Sequence, residues 1–396
     1  HMMFKSTENL EGEAFAQLMG TIGGGHSNAN TYFDRTCYHQ TVSPDRLEFV
    51  IRLEAERMGH LLPTREEAAS ELEVVKEELR QGYIDDPRGK LRFELYQNAY
   101  ELHPYKTITI GHLDDVASVT WEDLMEFQRK FYAPSNAVAI LVGNFETQAA
   151  LQLLETHMGS LPAGDKVVRR FPTEPVQESE RRFELDMPVQ RTSYMAGYHI
   201  PEAANPDNLK MQVLGTIMSR GGSSPLGQLS QGDDPVAMYA YGWCRASMEP
   251  GLMTFGGMTL PGIAPEILEQ RIDKEIEKIQ TEGVTEEQLE KARTQLLAEE
   301  TYNMQSCMGI AMRLGEAEMV STWKDAVNLS DRLAMLTPVD IQNAAAKYLV
   351  KTNRTVGIAR AAGDVLPTDQ TINTEETMDT GETMNSIENE EKTNDR

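Results

Sequence analysis

The strongest chemical signal in the chain is a pair of glutamates seven residues apart, Glu71 and Glu78. In Glu71-Leu-Glu-Val-Val-Lys-Glu-Glu-Leu-Arg80, a helix turning about 100° per residue puts Leu72, Val74, Val75 and Leu79 on one arc. Glu71 and Glu78 fall inside that arc, and Glu73, Lys76, Glu77 and Arg80 take the opposite side. Carboxylates in an apolar stripe are costly unless a cation or hydrogen-bond donors receive them. Two accounts stay open on this segment alone. Either the glutamates reach water around a wide face, or they meet a metal ion or a set of donors. The solvated face is the simpler account. His26, His39, His60, His103, His112 and His157 show no H-x-H or H-x-x-x-H spacing, and the only later histidine is His199. A second metal site is therefore not indicated, least of all in the C-terminal half.

The elements around this helix are legible as a repeat. Thr120 leads through Asp123 and Lys130 to Asn136 and the apolar run 137–142. Thr337 leads through Asp340 and Lys347 to Asn353 and the run 355–359, so four residue types recur at an offset of 217. Each copy reads as a helix with a threonine N-cap followed by a strand, and Pro338 suits a first helical position. Such a repeat suggests two duplicated domains. We expect a first domain over 1–164, a polar linker over 165–180, a second domain over 181–362 and a disordered acidic tail over 363–396. The second domain opens with the alternating segment 182–187, a strand signal. Residues 265–281 read as an amphipathic helix stopped by Gly283, and Thr285-Glu-Glu-Gln288 as the capping box of the next. Helices and alternating strands in both halves give an α+β fold class.

Composition narrows the function. With 37 basic and 62 acidic residues the formal charge is −25, of which the region from Asp369 contributes nine acids against two bases. Nucleic-acid binding needs a Lys/Arg surface and is not expected. No run approaches the 18 or so apolar residues of a membrane-spanning helix. The three widely spaced cysteines, Cys37, Cys244 and Cys307, form neither a disulfide framework nor a C-x-x-C spacing and are expected as buried thiols. Gly23-Gly24-Gly25 lacks the Lys-Ser/Thr of a phosphate loop and reads as a turn, and the methionines of 304–312 read as core filler.

The N-terminal residues His1-Met-Met-Phe-Lys-Ser-Thr7 resemble a family. Pitrilysin/insulinase-type zinc metallopeptidases carry an inverted H-x-x-E-H motif that commonly continues Met-Met-Phe-Lys-x-Thr. The resemblance implies that His1 is the second histidine of that motif and a zinc ligand. It implies that Glu78 is the later glutamate ligand, and that Glu71 supports the site from behind the ligands. Asn28-Ala-Asn-Thr31-Tyr-Phe-Asp34-Arg-Thr36-Cys-Tyr38 is similar to the family's substrate-pairing strand, which implies that Asn28 and Ala29 lie along an extended peptide substrate. Leu53-Glu-Ala-Glu-Arg-Met58, Asp85-Asp-Pro87 and His103-Pro-Tyr105 match further stretches. So do Glu249-Pro-Gly-Leu252, Pro261-Gly262 and 282–287 in the second half. The implied architecture is two homologous α/β sandwich domains, pitrilysin-like, enclosing a cleft.

The chain departs from the pattern in two places. The first histidine and the glutamate of H-x-x-E-H would precede His1, so the chain is expected to be N-terminally truncated and inactive as given. An Arg and a Tyr seven residues apart, which hold the substrate carbonyl in many relatives, are replaced by Gln231 and Met238, or by Gly232 and Tyr239 in a register shifted by one. The resemblance thus implies the zinc-bearing half of a pair, with a homologous partner subunit supplying Arg and Tyr. The expected function is that of a zinc-dependent endopeptidase subunit acting on extended peptides. The alternative is a non-catalytic assembly or substrate-binding subunit. The compartment is left open.

Overall fold

The computed structural model describes residues 1–189 and 191–361. The expected tail over 363–396 lies outside the described residues.

The first half is mostly helical. Among the described residues its two strands form a hairpin, β1 (Gly25–Thr31) and β2 (Thr36–Thr41), antiparallel, with Asn28 opposite His39 and Ala29 opposite Tyr38. Helices Leu47–Gly59, Arg65–Leu79 and Pro87–Ala99 come next, the second running into a π-helical turn at Arg80–Ile84. Thr120 caps the helix Trp121–Phe131 through a full capping box with Asp123, as the repeat requires. The strand expected over 137–142 does not form. That stretch pairs with no described residue, and Val138 is 49% exposed. An apolar run becomes a strand only where a neighbour accepts its ladder.

The second half holds a five-stranded sheet in the order β3-β7-β4-β6-β5, from β3 (Arg181–Val189), β4 (Ser193–Ile200), β5 (Ala237–Cys244), β6 (Gly251–Thr259) and β7 (Arg354–Ala361). β3 and β7 run parallel, and the other neighbours are antiparallel. Here the second copy of the repeat is complete, with the Thr337–Asp340 capping box, the helix Pro338–Tyr348 and then β7. Pro265–Glu282 is the helix stopped by Gly283, whose φ of +80° favours glycine, and the Thr285–Gln288 box opens Glu286–Asn303. These helices and Pro206–Ser219 bury one face of the sheet in a core that includes Tyr194, Met211, Phe255, Leu268 and Ile341.

The opposite face is covered by the first half. Leu91 and Leu95 of Pro87–Ala99, both fully buried, pack on Met195 and Ala359. The approach needs glycine in the sheet, because a Cβ at Gly357 would lie 2.9 Å from Leu91 and one at Gly197 3.3 Å from Leu95. β4 is accordingly buried on both faces from Ser193 to Tyr198 and again at Ile200. Between the halves, residues 161–180 form neither helix nor strand but are anchored. Glu174 accepts the backbone N–H groups of Glu101, Leu102 and His103 at 2.6–2.9 Å, and the Gln177 amide donates to the Arg354 carbonyl at 2.7 Å. Among the described residues no helix is long and apolar enough to cross a membrane. The cysteines are free, but Cys307 is exposed and the other two half-buried, and Met304, Met308 and Met312 are only half-buried.

Candidate metal centre

His1 opens a short 3-10 turn, Met2–Phe4, and side chains from Phe4 to Thr7 hold that turn in place. Phe4 packs on Phe15 and Tyr38, and all three rings surround the guanidinium of Arg57 at 4.5–5.4 Å. Arg57 is 2% exposed and forks onto Glu54 at 2.6 and 2.8 Å, so its charge is compensated inside an aromatic cage. The hydroxyls of Ser6 and Thr7 donate to Glu67 at 2.8 Å and Glu56 at 2.5 Å. Glu67 is also the N3 member of the capping box with Thr64. One carboxylate therefore starts the helix Arg65–Leu79 and ties it to the N-terminal segment.

That docking brings His1 beside both glutamates. Its Nδ1 lies 2.7 Å from Glu71 Oε1, and its Nε2 lies 3.4 Å from Glu78 Oε2. The second oxygen of Glu71 meets Lys5 Nζ at 2.9 Å. Burial alone would raise the Glu71 carboxyl, but the hydrogen bonds from His1 and Lys5 outweigh it and hold the group below the usual carboxylate value. The same contact raises Lys5, against its partial burial. An ionised carboxylate only accepts, so Nδ1 of His1 carries the proton and a neutral ring leaves the Nε2 lone pair facing Glu78. The 3.4 Å separation is too long for a charge-assisted hydrogen bond. It is the spacing of two ligands around one tetrahedral zinc, about 3.3 Å for metal–ligand bonds near 2.0–2.1 Å.

The apolar arc read around Glu71 and Glu78 is more open than expected. Leu79 is buried, but Val74 is 45% exposed and Glu78 about half exposed, whereas Glu71 keeps 15% exposure under His1 and Lys5. A cavity of about 200 Å³ opens beside His1, lined by Met3, Tyr38, Leu61, Leu124 and Phe127 among others, and its lining holds no carboxylate. Among the described residues no group of three or more His, Cys, Asp or Glu is arranged to hold a metal ion. His1 and Glu78 therefore fit two zinc positions of the three that a hydrolytic site takes from protein.

The other expected residues lie apart from this group. Asn28 and Ala29 are on β1, whose outer edge pairs with no described residue; the Ala29 N–H is taken by Asn28 Oδ1 at 2.8 Å. Tyr38 of the hairpin contacts Phe4 of the N-terminal segment. Gln231 ends a helix of the second half. Met238 is 46% exposed at a bulge in β5, where the register slips between Ala237 and Tyr239. Lys5 was missed as a member of the site. Its signal was its place in Met-Met-Phe-Lys-x-Thr, four residues after the histidine, so that both reach one carboxylate.

Residues 1–112 match the family described as "Insulinase (Peptidase family M16)", and residues 118–296 match its "Peptidase M16 inactive domain". The chain belongs to this pitrilysin/insulinase-type peptidase family. It is 28% identical over 360 residues to the "Zinc protease PqqE" of Helicobacter pylori, covering 90% of this chain and 80% of that protein. It is 25% identical to an "Uncharacterized zinc protease" of Mycobacterium tuberculosis, covering 88% and 80%. The crystal structure of a protease from Helicobacter pylori superposes with a TM-score of 0.85 at 27% identity, covering 91% of this chain and 87% of that one. A peptidase M16 inactive domain from Pseudomonas fluorescens superposes at 0.81 with 19% identity, covering 92% and 88%, and shows the shared two-domain fold.

Proposed function

We propose that this chain carries the zinc-ligand side of a peptidase centre and serves a zinc-dependent endopeptidase that cleaves extended peptides. The observation that carries the reading is His1 itself, with one ring nitrogen held by Glu71 at 2.7 Å and the other 3.4 Å from Glu78. In this reading His1 Nε2 and Glu78 Oε2 are metal ligands. Glu71 fixes the tautomer and ring orientation of His1, and Lys5 holds Glu71 ionised. Zinc, when bound, supplies a Lewis acid that lowers the pKa of a water molecule and polarises a peptide carbonyl. In the family's motif the third ligand and the base are the first His and the Glu of H-x-x-E-H. The free edge of β1, with Asn28 and Ala29, would receive the substrate backbone as an added strand, after Asn28 releases the Ala29 N–H.

Relatives named zinc proteases support the metal and the peptidase class. The polar and sulfur side chains of Gln231 and Met238 support a homologous partner subunit that brings Arg and Tyr. The same substitution, with the match of 118–296 to a domain described as inactive, supports the second reading, a non-catalytic subunit. Zinc titration against a chromophoric chelator tests the metal site. We expect one equivalent to bind and Glu78→Gln or His1→Gln to weaken it at least tenfold. Unchanged affinity in both variants would remove the zinc reading and leave the non-catalytic one. Peptide cleavage with and without a homologous partner decides whether the centre is catalytic.

A further inference from the structure

Positive charge collects where the two halves meet, in a chain of formal charge −25. Leu91 and Leu95 of the helix Pro87–Ala99 face the second sheet, and Arg88 and Arg92, with the same four-residue spacing, form a row beside them. Both arginines are exposed, and among the described residues neither makes an ion pair. The nearby acid, Asp86, is committed to the Gly89 N–H at 2.7 Å as the helix cap. Two like charges four residues apart repel each other, and among the described residues only the capping carboxylate of Asp86 acts against that at Arg88.

The row faces an aromatic ladder. In the edge strand β5, Ala240 and Cys244 pack on the helix-covered core, so Tyr239, Tyr241 and Trp243 alternate onto the face that the helix Pro87–Ala99 shares. The Tyr239 and Tyr241 rings stack at 6.3 Å and 19°. The register carries Tyr241 into line with Met195, on which Leu91 and Leu95 pack, through Gly256, and Tyr239 into line with Ser193 through Met258, at the end of the helix that bears Arg88. Burial pushes the Tyr241 hydroxyl up to about 12, while the charges of Arg92 and Arg88 pull it the other way. The outer edge of β5 pairs with no described residue. The bulge at Met238 sets this phase: it puts Tyr239, rather than Met238, opposite Met258 and in step with Tyr241.

We propose that Arg88 and Arg92, backed by Tyr239 and Tyr241, form a carboxylate-binding subsite for acidic side chains of a peptide extended along the edge of β5. Guanidinium forks match carboxylates bidentately, and an edge strand offers main-chain bonds to an added one. The spacing also agrees. Four helical residues advance about 6 Å and alternate residues of a strand about 6.6–6.8 Å, so the two arginines fit the acids of Glu-x-Glu. The subsite does not depend on the zinc centre.

The test is fluorescence anisotropy of a labelled octapeptide containing Glu-x-Glu against its Gln-x-Gln isostere, at low ionic strength and with a chelator present. The whole-molecule charge repels an acidic peptide, so non-specific attraction would favour the glutamine form. The wild-type chain is expected to bind the glutamate peptide at least tenfold more tightly. Arg88→Gln with Arg92→Gln should abolish the preference without moving the thermal midpoint, because both side chains are exposed. Arg88→Lys with Arg92→Lys should keep part of it, the charge surviving and the fork not. Equal or reversed affinities in the wild-type chain, or a preference that survives the double glutamine variant, would overturn the proposal.

Discussion

Lys5, Glu71 and His1 form a relay in which one carboxylate serves an ammonium and an imidazole, and its order sets a ranking of substitutions. Glu78→Gln removes a ligand atom. Glu71→Gln leaves the ligands in place but frees the His1 ring and its tautomer, and Lys5→Met only loosens Glu71. Losing a group that orients a ligand typically costs 10–100-fold in metal affinity. Calorimetric zinc titrations of the three variants should therefore rank Glu78→Gln as the most damaging, Glu71→Gln about 10–100-fold weaker than wild type, and Lys5→Met least affected. If Lys5→Met matched Glu78→Gln, the relay would be wrong and Lys5 would be touching the metal environment directly.

Between elements, acid and base groups act as fasteners whose strength depends on pH. Asp207 opens the helix Pro206–Ser219 and joins it to the end of Pro338–Tyr348. It accepts from Lys210 at 2.8 Å, Lys347 at 3.0 Å and the Tyr348 hydroxyl at 2.8 Å. The Lys210 bond is the largest influence, and against a burial effect of opposite sign the set lowers the carboxyl to about 2. A depressed folded-state pKa stabilises the fold above the unfolded value, near 3.8, and that contribution is lost as pH falls through about 2. Urea midpoints should show Asp207→Asn less stable than wild type at pH 6, with the difference closing between about pH 4 and pH 2. A deficit that stayed constant over that range would mean that packing, not charge, makes the joint.

Across the whole molecule, the helix Pro87–Ala99 belongs to the first half by sequence and to the second by burial, since Leu91 and Leu95 lie in the second sheet's own apolar face. Truncating a fully buried leucine costs about 2–5 kcal/mol, depending on how far the site collapses. Leu95→Ala should lower the unfolding free energy by that amount and should shift the fluorescence transitions of Trp121, in the first half, and Trp243, in the second, together. A shift confined to Trp243 would show that the halves unfold separately. The linker contributes to the same union, Glu174 holding the first half and Gln177 the second.

Local chemistry made several features readable in advance. Threonine caps followed by an acid or amide three residues on, a proline at a first helical turn and a glycine at a helix end act within one turn of chain. The helices from Thr120, Pro265, Thr285 and Thr337 accordingly formed where expected. The Glu71/Glu78 phase was equally local, and the family's motif placed His1 with it. Pairing and burial are not local. The run 137–142 carried a strand's composition without a neighbour to accept its ladder, and Val74 lay in an apolar arc that packing left half open. The sequence by itself determined the capped helices, the helix-to-strand order of the second copy and the carboxylates that could face a metal, because each depends on residues a few positions apart. Only the tertiary structure decided that Glu71 answers to Lys5 as well as His1, and that Arg88 of one half meets Tyr239 of the other. Those pairs join positions far apart in the chain, and the docking of whole elements, not any spacing, brings them together.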